Sequence, residues 1–164
     1  MNSARADQLM SKPVQCCGPD DPLSDAARLM WEHDCGVVTV IGPGDAVVGI
    51  ITDRDICMAA YHQGRRLAEI PVRSAMSREV VACAPSDSIE AVESLMQRRQ
   101  VRRVPVIDER GHPIGMISQN DIVRDAAQRR RSGSDRNVVE TLAAIGQPRH
   151  EPSRQAPPRA QPLA

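Results

Sequence analysis

The sequence predicts a mixed α/β (α+β) fold built from two β-α-β-β-α repeats packed about a pseudo-twofold axis. Shifted against itself by 66 residues, the chain lays 10–57 over 76–123 without a gap, with 15 of 48 positions identical. Within each copy, short β-branched runs alternate with stretches whose apolar residues recur at helical spacing. The 164 residues suit one compact domain, whereas a single copy is too small to bury its own apolar face. The cleft between copies is therefore the first place to look for a ligand.

Taken in order, the first copy is expected to cap its first helix with Asp21, with Pro22 at the first helical position where no amide donor is missed. In the second copy Val80-Val81-Ala82-Cys83 reads as a short strand, and Asp87 as an N-cap followed three residues later by Glu90. Ile89, Val92, Leu95 and Met96 then form one apolar stripe. Two β-rich runs, 103–107 and 113–117, flank the turn Asp108-Glu109-Arg110-Gly111, and Gly42-Pro43-Gly44-Asp45 holds the same place in the first copy. A second helix starts at Thr52 in one copy and at Ser118 in the other, and Gly64 is the expected stop of the former. These signals divide the chain into a first repeat over 9–64, a connector over 65–73 and a second repeat over 74–131. Val138, Leu142 and Ile145 make 132–146 a candidate short helix, and 147–164, with five of the thirteen prolines, reads as a disordered tail rich in Pro and Arg.

Composition narrows the function classes. The charge is balanced, 21 basic against 21 acidic residues, which gives no overall drive toward nucleic acid or an anionic membrane. No stretch approaches the apolar length of a membrane span, and the first residues hold no apolar signal core, so a cytoplasmic protein is expected. Five cysteines without a Cys-x-x-Cys pair do not form a disulfide framework and read as small buried hydrophobes. With no Phe, and only Trp31 and Tyr61 as aromatics, the core must be aliphatic, and the stacking platforms that single-stranded nucleic acid requires are missing.

The residues that carry chemistry sit in a repeated element, Gly-h-h-[Thr/Ser]-x-x-Asp with h apolar, which ends a strand and opens a helix at Gly49 to Asp55 and again at Gly115 to Asp121. Thr52 with Asp55, and Ser118 with Asp121, have the spacing of a hydroxyl N-cap and a third-position carboxylate, which stabilises a helix end with no ligand. The same end, exposed beside a cleft, also offers free amides to an anion and a carboxylate to paired hydroxyls such as those of a ribose.

Over roughly 9–124 the chain resembles a tandem pair of cystathionine β-synthase (CBS) domains, the regulatory unit called a Bateman module. It is similar in particular to bacterial members that consist of little besides the pair. The resemblance rests on Met10 and Met76, on Cys35-Gly36-Val37-Val38-Thr39-Val40 and Val101-Arg102-Arg103-Val104-Pro105-Val106, and on the two Gly-h-h-[Thr/Ser]-x-x-Asp elements in register. It implies two clefts that bind AMP, ADP or ATP, with NADH or S-adenosylmethionine as further options, and no catalytic cofactor. One site would join Thr52, Arg54 and Asp55 to Val80, Val81, Ala82, Arg102, Arg103 and Pro105; the other would join Ser118 and Asp121 to Val14, Gln15, Cys16, Gly36 and Val37. On this reading Arg102 and Arg103 give the Asp55 cleft its phosphate contact, while Gly36 and Val37 leave the Asp121 cleft without charge. Thr39 stands where the family usually has Pro. The resemblance also implies a homodimer, joined through helix faces bearing Leu29, Met30, Leu95 and Met96, that signals to a protein target the sequence does not identify.

Other readings carry less. Cys16, Cys17 and Cys83 with His33 or His62 match no standard zinc spacing, so no metal is expected. No Cys-His or Ser-His-Asp grouping is visible, and the chain is not expected to be an enzyme of its own. Arg129-Arg130-Arg131 with Arg136, Arg149, Arg154 and Arg159 is the argument for a nucleic-acid partner; interspersed Asp125, Asp135, Glu140 and Glu151 argue against it. A regulatory subunit of a nucleotide-processing enzyme is the remaining alternative.

Overall fold

Each repeat borrows its leading segment from the other's territory. The computed structural model describes residues 4–128 and 141–142. Helix α1 (Ala6–Leu9) precedes strand β1 (Cys16–Cys17), helix α2 (Leu23–Glu32), strands β2 (Val37–Ile41) and β3 (Val47–Thr52), and helix α3 (Asp53–Gln63). Two 3-10 turns, Leu67–Glu69 and Val72–Ser74, lead to helix α4 (Ile89–Arg99), strands β4 (Arg103–Ile107) and β5 (Pro113–Ser118), and helix α5 (Gln119–Gln128). Among the described residues no helix is long and apolar enough to cross a membrane.

Ile70 and Val72, from the connector, are fully buried in the first repeat's core beside Leu23, Val38, Val40 and Ile51. Ala4 and Ala6, at the start of the chain, are buried in the second repeat's core with Ile89, Val92, Met96, Val104 and Ile117. The backbone repeats the exchange at the same 66-residue offset. Leu23 N–H donates to Ile70 O and Val72 N–H to Asp21 O, both at 2.8 Å, as Ile89 N–H donates to Ala4 O at 2.9 Å and Ala6 N–H to Asp87 O at 2.8 Å. No residue of 4–9 is identical to its counterpart in 70–75, so the sequence shift does not reveal this part of the repeat. Two alternating positions need only be apolar and small enough to fit, and the rest is backbone pairing.

The two identical methionines explain the two identical glycines. Ser11 bridges to Met116 and Ser77 to Ile50, which lays Met10 across Gly115 and Met76 across Gly49. A Cβ on Gly115 would overlap Met10 Sδ and lie 2.6 Å from its Cγ; one on Gly49 would lie 2.7 Å from Met76 Sδ and 3.0 Å from Ser77 O. The element's leading glycine is therefore the seat of a side chain from across the pseudo-axis. Gly64 does end α3, in the left-handed region at φ 59°, with its N–H on Ala60 O at 2.9 Å.

The two sheets differ at one residue. β1 runs parallel to β2, which pairs antiparallel with β3. In the second copy β4 and β5 pair antiparallel, but the expected strand Val80-Val81-Ala82-Cys83 is reduced to a single parallel bridge from Cys83 to Val106. Thr39 N–H donates to Gln15 O at 3.0 Å; its counterpart Pro105 has no N–H, so Val81 lacks that ladder bond. Thr39 is completely buried, and among the described residues its hydroxyl has no partner.

Three further expectations are corrected. The N-cap of α4 is Ser88, accepting from Ala91 N–H at 3.2 Å, and that of α2 is Pro22, not Asp87 and Asp21. Those carboxylates instead accept from backbone amides three residues earlier, Gly18 at 2.7 Å and Ala84 at 2.9 Å, and so brace the turn before each helix. Met30 and Met96 are core residues at 8% and 0% exposure, and Leu29 and Leu95 pack partly buried against the two cores, so this set does not form an open docking face. Among the described residues, the large apolar side chains left exposed are Trp31 (88%), Tyr61 (77%), Met58 and Val48. Residues 141 and 142 of the candidate short helix are helical; the remainder of that segment, the Arg129–131 triplet and the tail lie outside the described residues.

Candidate functional site

The cavity that the exchange creates opens where β5 gives way to α5. Ser118 caps α5: its Oγ accepts from Asp121 N–H at 3.2 Å, while Asp121 Oδ2 accepts from Ser118 N–H at 2.8 Å and from its Oγ–H at 2.6 Å. The Thr52–Asp55 pair repeats this at α3, with Oδ2 of Asp55 accepting from Thr52 N–H at 2.9 Å and Oγ1–H at 2.7 Å. Both carboxylates thus spend one oxygen on the helix end, and the second oxygen decides what each can do for a ligand.

Beside Asp121 lies a cavity of about 650 Å³. Val14 and Gln15 enter it on the segment that follows the Ser11–Met116 bridge, Val37 on β2, and Ser118 and Asp121 on β5 and α5, so five of the residues expected around Asp121 meet here. Cys16 and Gly36 do not line it. Cys16 turns its thiol toward Val14 O at 3.8 Å, and Gly36 is backed by Asp53 and Arg103. Burial first, and the charge of Asp45 second, raise the Cys16 thiol above its ordinary pKa. Cys17 and Cys83, counterparts across the pseudo-axis, are 6% and 5% exposed. Burial pushes both thiols up to about 12, which suits their reading as core residues.

The Asp121 cavity carries more charge than the resemblance implies. Arg103, assigned by resemblance to the Asp55 cleft, lines the Asp121 cavity, where β4 sets it directly opposite Ser118. Its Nη2 lies 3.4 Å from where a Cβ on Gly36 would stand, so the bare glycine makes room for the guanidinium. Lys12 and Arg124 also line the cavity, giving three cations against the carboxylates of Asp34 and Asp121. The expectation of an uncharged Asp121 cleft fails because residue 103 reaches across to the neighbouring repeat's glycine.

The other expected group is spread differently. Thr52 and Asp55 are joined by their cap; Arg54 and Arg102 are exposed, Val80, Val81 and Ala82 half-buried, and Pro105 buried on β4. None of these lines the Asp121 cavity. At the places of Pro13 and His33, the second repeat has Glu79 and Arg99, which pair at 2.8 Å on the surface.

Sequence reasoning missed Ser11, Lys12 and Arg124. Arg124 donates to Asp121 Oδ1, the oxygen the cap leaves over, and Ser11 Oγ approaches the same atom at 3.5 Å. The i,i+3 spacing of Asp121 and Arg124 on one helix was a readable signal for the first of these contacts. Among the described residues no group of three or more His, Cys, Asp or Glu is placed to hold a metal.

Comparison with known proteins matches the sequence profile of the CBS domain to residues 6–62 and 72–127. The CBS domain-containing protein YhcV of Bacillus subtilis is 32% identical over 125 residues, 76% of this chain and 87% of that protein. Hypoxic response protein 1 of Mycobacterium tuberculosis is 32% identical over 124 residues, 76% of this chain and 85% of that protein. A solved structure of Hypoxic Response Protein I, with two coordinated zinc ions, superposes with a TM-score of 0.67 at 31% identity, covering 74% of this chain and 98% of that one. A CBS domain pair in complex with 5′-methylthioadenosine and S-adenosyl-L-methionine superposes with a TM-score of 0.70 at 22% identity, covering 78% and 99%.

Proposed function

Since this chain belongs to the CBS-domain family, with two such domains in tandem, we propose that it senses an adenosine-containing ligand and reports its presence to a partner protein. A CBS pair is a regulatory ligand-binding module, and the Bacillus subtilis relative is a CBS domain-containing protein matched over 87% of its length. The ligand proposed is an adenine nucleotide, AMP, ADP or ATP, bound in the Asp121 cavity. One observation carries this choice: a space of about 650 Å³ in which a capped helix N-terminus, a ribose-sized carboxylate partner and three cations converge. The volume lies within the usual range for small-molecule sites. The helix end and the cations suit a phosphate, and Asp121 suits a vicinal diol. Support from the solved pair holding adenosyl compounds is at the level of fold alone. The Thr52–Asp55 cleft is the second site of the same reading, with Arg54 and Arg102 as its nearby cations.

We further assign the assembly as a homodimer joined through the first repeat's helices, where Trp31 and Tyr61 stand exposed. The cytoplasm is the compartment this reading implies.

A thermal-shift panel of AMP, ADP, ATP, NADH and S-adenosylmethionine tests the ligand class; at one hundred times the dissociation constant, stabilisation should reach about 2.7 kcal/mol. Titration calorimetry on Asp121→Ala and Asp55→Ala then ranks the clefts. A hydrogen bond to a charged group contributes about 1.5–3 kcal/mol, so Asp121→Ala should weaken AMP by that amount. A cap-only role would lower the melting temperature and leave affinity intact. That result at both aspartates would reject the ribose assignment.

A further inference from the structure

The two capped aspartates differ in what holds their outer oxygen. Asp121 is a buried carboxylate, its side chain 8% exposed, and Oδ1 is held by Arg124 with Ser11 alongside. At the places of Asp121 and Arg124, the first repeat has Asp55 and Met58. Asp55 makes the same bonds to its cap as Asp121, and among the described residues no cation pairs with it. Arg124 itself is 70% exposed and lines the cavity, and among the described residues its guanidinium is held by Asp121 alone.

We propose that Arg124 is a placeholder that makes the Asp121 cleft selective for phosphorylated ligands: it occupies the diol's position on Asp121 when the cleft is empty and moves to the ligand's phosphate when the cleft fills. The inference rests on the nucleotide reading above. A carboxylate this buried is costly to leave without donors, so Arg124 leaves only when a ligand supplies them in its place. A vicinal diol brings two hydroxyl donors and meets that requirement. An uncharged nucleoside would then break an ion pair and offer the displaced guanidinium nothing. A nucleotide offers it a phosphate, where a planar fork of donors forms charge-assisted bonds, and Lys12 and Arg103 already line the same space. The exchange is cheap on the arginine side because its side chain is mostly in water at the start.

The test uses the full chain carrying Asp55→Asn, which silences the other cleft, with and without Arg124→Met, the residue found at the matching place in the first repeat. Adenosine and AMP are titrated by calorimetry at one ionic strength, with a melting curve on each variant as the folding control. In Arg124→Met, adenosine should bind roughly 2- to 5-fold more tightly, because a partly exposed ion pair no longer has to be broken. AMP should bind roughly tenfold more weakly or worse, because a charge-assisted contact is lost. Arg124→Lys should restore part of the AMP affinity, since it returns the charge without the fork. If both ligands shift by the same factor, or neither shifts, the placeholder role is overturned while the nucleotide reading stands. If neither ligand binds the Asp55→Asn chain or the unsubstituted one, both are rejected.

Discussion

The two repeats keep one backbone and put different chemistry on it. Several positions that build the scaffold are the same in both: Met10 and Met76 on Gly115 and Gly49, Cys17 and Cys83 in the cores, Asp55 and Asp121 at the helix caps. Positions that face a ligand or the surface have diverged: Val37 against Arg103, Met58 against Arg124, His33 against Arg99, Trp31 against Gln97. The identities recovered by the 66-residue shift therefore fall on the scaffold, and the differences at cleft and surface positions give each half its own chemistry. Each position in the second set suggests an experiment whose control is its counterpart.

The largest expected effect is at Trp31. In the second repeat, Gln97 donates from its amide to Thr141 Oγ1 at 2.7 Å, and Thr141 is 1% exposed, so Thr141 lies against that part of α4. In the first repeat Trp31 stands 88% exposed on α2. If a second copy covers it, Trp31→Glu removes a central aromatic from both sides of a two-fold interface. At about 2 kcal/mol per copy, the dimer should weaken by on the order of a thousandfold. Sedimentation equilibrium reads this directly; Gln97→Ala should leave the assembly unchanged. A monomeric unsubstituted chain, or a Trp31→Glu chain as dimeric as its parent, would reject the assigned interface.

Next in size is the methionine-on-glycine contact that the halves share. Gly115→Ala and Gly49→Ala should each cost about 1–3 kcal/mol in denaturant unfolding, the usual range for overpacking. Gly115→Ala should cost more, because its new Cβ meets Met10 at Sδ, Cγ and Cβ, the last at 2.8 Å. Adding Met10→Ala should recover part of that loss. The matching rescue of Gly49→Ala by Met76→Ala should also be partial: the backbone Ser77 O stays 3.0 Å from the carbon added there, as the Met10 Cβ that alanine keeps stays 2.8 Å from the carbon added at Gly115. Equal stability of Gly115→Ala and the parent would show that the contact is looser than its geometry.

The expectations that held were those set by local pattern. The repeat, the antiparallel hairpins, the Thr52–Asp55 and Ser118–Asp121 caps and the stop at Gly64 all follow from residues close in sequence. Those that failed turned on a choice between neighbouring groups or on contacts across the pseudo-axis. Asp87 and Ser88 are both good caps, and only the chain path gives the helix to Ser88 and the preceding turn to Asp87. The weak first strand of the second repeat was readable in principle from Pro105, whose missing N–H removes a ladder bond, but only once the pairing partner was known. The exchange of 4–9 with 70–75 left no identities to find, because backbone pairing and a pair of small or aliphatic residues suffice. That Arg103 lines the Asp121 cavity was not legible, because a long side chain at a strand end reaches to the neighbouring repeat's Gly36.

The smallest effect expected is at Glu93, whose counterpart in α2 is Ala27. Glu93 is 8% exposed on α4, in a helix face that the first repeat fills with a small apolar residue. Burial first, then the charges of Glu90 and Asp125, raise its pKa above the ordinary carboxylate value of 4.5. The folded state therefore holds this proton over a range of pH where the unfolded chain has released it, and stability must fall as pH rises from the ordinary value through the raised one. Below that window Glu93 is neutral in both states and carries no penalty. Glu93→Gln, which keeps the shape and removes the ionisation, should accordingly raise the melting temperature at pH 7, by less than either substitution above changes its own readout. The gain should shrink on acidification and vanish below the ordinary carboxylate range. Ala27→Glu, which writes the same acid into the first repeat, should be destabilising at pH 7 and less so in acid. A Glu93→Gln chain that is no more stable than its parent at pH 7, or equally stabilised at every pH, would show that the carboxylate is better solvated than its burial implies.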